Sequence, residues 1–69
     1  MPRKCDKYSL WSRYGQTREQ VATAEWRHLS THDTYDQARN HVGSSRAVYA
    51  RQRIKLSEFQ IVCAGERPT

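Results

Sequence analysis

The sequence has no apolar run approaching the roughly 18 residues of a membrane helix, so no span is expected and no membrane partner. No apolar stretch follows the basic start, Met1 to Lys7, which excludes a secretory signal from the expectation. Glycine is scarce: Gly15, Gly43 and Gly65 stand alone, so there is no glycine-rich phosphate loop. Cysteine is scarcer still, with Cys5 and Cys63 near opposite ends. Oxidised, the pair would tie the ends together. With one pair and no signal, the reduced cytoplasmic form is the expectation, with both thiols acting as small apolar fillers. There is no Cys-x-x-Cys and no His-Glu-x-x-His, so neither metal nor cofactor is expected. His28 and His32 would share a face only on a helix.

What remains is 69 residues with 12 Lys and Arg against 7 Asp and Glu, a net charge of +5. That length supports a single domain, 1–69, with residues 1–6 and 65–69 expected to fray. Only twelve large apolar side chains (Val, Ile, Leu, Phe and Trp) are available for a core. A partner or a homodimer contact would supplement so small a core.

Along the chain, Tyr8, Leu10, Ser12 and Tyr14 alternate with Ser9, Trp11 and Arg13, which predicts a strand ended by Gly15. Thr17 to Leu29 reads two ways. Thr17-Arg-Glu-Gln20 fits a capping box, yet Val21 to Leu29 also alternates and would pair with the first strand as a hairpin. The strand is the preferred reading. Thr34-Tyr-Asp-Gln37 is a second capping box, with Asp33 and Asp36 at the positive helix end. Tyr35, Ala38 and Val42 form the apolar stripe of that helix, and Gly43 is the expected C-cap. Ala47 to Leu56 then reads as a strand, with Val48, Ala50, Ile54 and Leu56 inward and Tyr49, Arg51, Arg53 and Lys55 outward. Glu58 to Ala64 is a further strand beyond a Ser57-Glu58 turn. The expected fold is α+β: one helix packed on an antiparallel sheet, in the order β-β-α-β-β.

The charge is concentrated. Between Asp36 and Glu58 there is no acid, while Arg39, Arg46, Arg51, Arg53 and Lys55 all lie there. Strand residues two apart are about 6.5–7 Å apart, close to the spacing of backbone phosphates. Tyr49, Arg51, Arg53 and Lys55 are therefore the candidate binding ridge, with Arg39, Arg46, Arg13 and Trp11 in support. Nine of the twelve cations are Arg, suited to bidentate contact with phosphate or carboxylate. Nothing in the spacing of His28, His32 and His41 brings an acid or base to these arginines, so enzymatic activity is not expected.

The Asp33 to Arg39 helix start, after Trp26 to Thr31 and before Arg51-Gln-Arg-Ile-Lys55, resembles the layout of small phage-encoded inhibitors. The anti-CRISPR proteins and phage inhibitors of host RNA polymerase share this scale. A similar helix start occurs in the sheet-plus-helix arm domains of phage-type integrases. The resemblance implies a cytoplasmic protein that docks on a host protein or nucleoprotein complex and blocks it. The alternative it leaves is an autonomous DNA- or RNA-binding module; a small ribonuclease toxin ranks third. Many anti-CRISPR proteins are acidic DNA mimics, and a charge of +5 excludes that mode here.

Overall fold

A computed structural model describes residues 5–68. The elements in chain order are β1 (Tyr8–Gly15), α1 (Arg18–Thr23), β2 (Arg27–His32), α2 (Tyr35–Arg51) and β3 (Leu56–Cys63). The three strands form one antiparallel sheet in the order β2-β1-β3. The α+β class and the single main helix on an antiparallel sheet are as expected. The element order is not: it is β-α-β-α-β.

β1 is the central strand, and its alternation determines the two faces of the sheet. Leu10 and Ser12 are fully buried against α2, where Ala38 is also fully buried and Ser45 nearly so. Tyr8 meets Tyr35 edge-on at 5.8 Å and Tyr14 meets Tyr49 at 5.2 Å, so the tyrosines bracket this core at both ends. The Ser12 and Tyr49 hydroxyls share a hydrogen bond of 2.7 Å, which satisfies the buried serine. Tyr49 also stacks on Phe59 at 5.7 Å.

Both capping boxes form helices. Thr34 Oγ1 accepts from the Gln37 N–H, and Thr17 Oγ1 accepts from the Gln20 N–H, each at 3.2 Å. The Thr17 helix ends at Thr23, so the expected strand from Val21 to Leu29 is split: its first residues are helical and β2 starts only at Arg27. Gly15 fits this helix. A Cβ there would lie 2.7 Å from the Gln20 Cβ and 3.1 Å from the Val21 N.

The expected strand from Ala47 to Leu56 is the main correction. α2 runs through Gly43, which does not cap it, and continues to Arg51. The winning pattern is Ala38, His41, Val42, Ser45 and Tyr49, a helical stripe whose small members let α2 approach the sheet closely. Val48, expected inside, is 46% exposed. After Gln52 the chain turns in a Schellman motif. The Ile54 N–H donates to the Tyr49 carbonyl at 3.0 Å, and the Arg53 N–H donates to the Ala50 carbonyl at 3.1 Å. Arg53 takes the left-handed position of that motif, with φ of 61°.

Cys5 and Cys63 are joined by a disulfide across a Cα separation of 5.6 Å, which corrects the expectation of free thiols. β1 and β3 run side by side and bring the two cysteines together, a proximity that sequence spacing cannot reveal. The Ala64 N–H donates to the Lys7 carbonyl and the Glu66 N–H to the Cys63 carbonyl, each at 3.0 Å. The expectations for residues 1–4 and 69 lie outside the described residues. No helix of the described chain is long and apolar enough to cross a membrane.

Candidate polyanion-binding end

The residues expected to form the ridge and its support are distributed over β1, α2 and the turn between α2 and β3. Tyr49 is half-buried and holds the core through Ser12, Tyr14 and Phe59, so it offers no free stacking surface. Arg13 is committed as well. Its Nε and Nη2 both meet Glu58 Oε1 at 2.6 Å, its Nη1 donates to the Ala22 carbonyl at 3.3 Å, and its guanidinium lies 4.5 Å from the Trp26 ring centre. This arrangement straps α1 and the β2 approach to β3; it is not a free cation. Trp11 is half-buried on the sheet face away from α2, edge-on to His28 at 5.2 Å, with its indole N–H buried and unbonded. It is separated by the sheet from α2 and its arginines. Arg39 and Arg46 lie on one flank of α2, and the Arg46 guanidinium is 5.7 Å from the Phe59 ring.

Arg51, Arg53 and Lys55 do remain together, for a different reason from the one expected. Arg51 is the last residue of α2, Arg53 is in the left-handed turn and Lys55 precedes β3. All three are exposed, and no ion pair among the described residues engages them. The fold adds two arginines that the linear charge pattern missed. Gln16 Nε2 donates to the Arg53 carbonyl at 3.4 Å, which brings the start of α1 and Arg18 to this end. Arg27, opposite Ser12 in the sheet, places its guanidinium 5.7 Å from the Tyr14 ring. Arg18 and Arg27 are far from the acid-free window in sequence, so only the tertiary arrangement could reveal them.

A shallow cleft of about 390 Å³ opens beside this end, with Arg18, Val21, Ala22, Leu56 and Glu58 in its wall. No histidine or cysteine lines it. His32 and His41 pair at 5.2 Å on the α2 side of the sheet, beside Ser30, and His28 is on the opposite face. Among the described residues no group of three His, Cys, Asp or Glu side chains is placed to hold a metal ion. The chemistry this end can offer is charge and guanidinium hydrogen bonding. No family model matches the chain, and no curated protein or solved structure matches it either.

Proposed function

We propose that the protein is a non-enzymatic binding protein that docks through its basic end on a nucleic-acid-handling complex and blocks it, with the phosphate backbone as the contacted group. Arg51, Arg53 and Lys55 carry the contact, and Arg18 and Arg27 flank it. The observation that carries this reading is Arg53. A left-handed residue at a helix end is normally glycine, because a Cβ there costs about 1 kcal/mol. An exposed arginine held in that conformation serves no local stability purpose, and it lies between two further unpaired cations. Arg51 alone would be explained by the helix dipole; the three together are not.

Fluorescence anisotropy with labelled single-stranded and duplex oligonucleotides at two salt concentrations tests the contact. The expected result is micromolar binding that weakens with salt, with a log–log slope of about −2.7 on duplex and about −2.1 on single strands for three neutralised phosphates. Exchanging Arg51, Arg53 and Lys55 for Glu is expected to abolish it. Absence of binding at low salt would remove the phosphate contact.

A further inference from the structure

β3 is an edge strand without the usual protections. The Ala64 N–H donates to the Lys7 carbonyl at 3.0 Å, which sets the phase of the β1–β3 ladder. In that phase Leu56, Glu58, Gln60 and Val62 turn their backbone groups toward β1, and Ser57, Phe59 and Ile61 turn theirs outward. No hydrogen bond among the described residues takes up those outward N–H and C=O groups. The pairing with β1 is regular over all eight residues, Tyr8 with Cys63 through Gly15 with Leu56. The strand contains no Pro, Lys or Arg. The opposite edge differs: β2 has six residues, and a register shift between Leu10 and Trp11 interrupts its pairing with β1. Short length and a bulge are how natural sheets blunt an edge; β3 has neither.

The charge beside this edge selects the occupant. Arg46 lies over Phe59, and Arg39 is two turns earlier on the same helical flank, about 10.5 Å along the axis. No ion pair among the described residues engages either. The one acid on β3, Glu58, is held by Arg13 at 2.6 Å. A second copy paired edge to edge would bring its own Arg39 and Arg46 against these two, so like charges would face each other. An acidic segment would neutralise them.

We infer that the β3 edge takes an extended acidic segment of a protein partner by strand addition. Its backbone pairs with Ser57, Phe59 and Ile61, its carboxylates face Arg39 and Arg46, and its aliphatic side chains lie beside Val62 on the other face. The inference does not depend on the basic end, which is formed by different residues.

The test uses a fluorescein-labelled peptide of about seven residues alternating Glu and Val, titrated with the full chain. Three comparisons accompany it: the chain made by synthesis with the Phe59 and Ile61 amides N-methylated, the Arg39→Glu, Arg46→Glu variant, and a peptide with Lys in place of Glu. The native chain is expected to bind the acidic peptide. Each of the three changes is expected to weaken binding at least about tenfold. Failure of the native chain to bind would overturn the inference, as would equal binding by the folded N-methylated chain or equal binding of the Lys peptide. Should N-methylation prevent folding, the arginine variant decides, because both positions are exposed on α2. Sedimentation showing a native dimer that N-methylation dissociates would overturn it in favour of a second copy.

Discussion

Where α2 begins, a disulfide closes the chain; where it ends, cations gather beside a single strap, Arg13 on Glu58. The starting end holds the Cys5–Cys63 bridge, the Lys7–Asp33 ion pair at 3.8 Å and the Thr34 cap, with Asp6, Asp36 and Glu66 nearby. The finishing end holds Arg18, Arg27, Arg51, Arg53 and Lys55, and Arg53 sits in a conformation that disfavours its own side chain. One end is arranged to hold the chain together. The other keeps unpaired positive charge at some local cost. This asymmetry is the physical basis for placing the binding surface at the finish of α2 and not along a strand.

The largest test of the contrast is at the tied end. Replacing Cys5 and Cys63 with Ala opens a loop whose sequence separation is 58. That is expected to lower unfolding stability by about 4 kcal/mol in chemical denaturation, measured against the oxidised chain. An unchanged midpoint would mean that the bridge does not constrain the unfolded chain. A smaller loss is expected from Thr34→Ala, which removes the acceptor of the Gln37 N–H and costs about 1 kcal/mol. Between the ends, Gly43→Ala is expected to raise stability by about 1 kcal/mol, since nothing lies within 4 Å of the added Cβ. A loss there would restore Gly43 as a helix end and overturn the continuous α2. The smallest stability effect belongs to the basic end. Lys55→Glu is expected to move thermal unfolding by no more than about 0.5 kcal/mol while weakening oligonucleotide binding, which makes stability and binding separable there.

Much of this was legible in the residues. β1 follows from alternation, and the Thr34-x-x-Gln box marks a helix start because a hydroxyl three residues before a free N–H satisfies it locally; the Thr17 box competes with the alternation from Val21 to Leu29, which favours a strand. The α+β class follows from those elements. The stretch from Ser44 to Arg53 misleads for a definable reason. Val48 and Ala50 alternate with Tyr49 and Arg51, but Ala47, Ala50, Gln52 and three arginines favour a helix, and Val48 is its only β-branched residue. The inward stripe includes Ser45, a residue that no hydropathy pattern assigns to a core; its burial depends on close approach to the sheet. Once α2 extends to Arg51, the expected ridge is lost: Tyr49 turns into the core, and Arg51, Arg53 and Lys55 become a helix end and a turn.

The sequence by itself determined the charge excess, the acid-free window, the central strand and the place where α2 begins, because all of these depend on neighbours within a few positions. Only the tertiary structure decided that Cys5 meets Cys63, that Arg13 is paired with Glu58 while Arg18 and Arg27 join the basic end, and that β3 lies unprotected at an edge. Those facts depend on strand order and on which helix face packs. They are set by contacts between residues far apart in the chain, where local pattern carries no information.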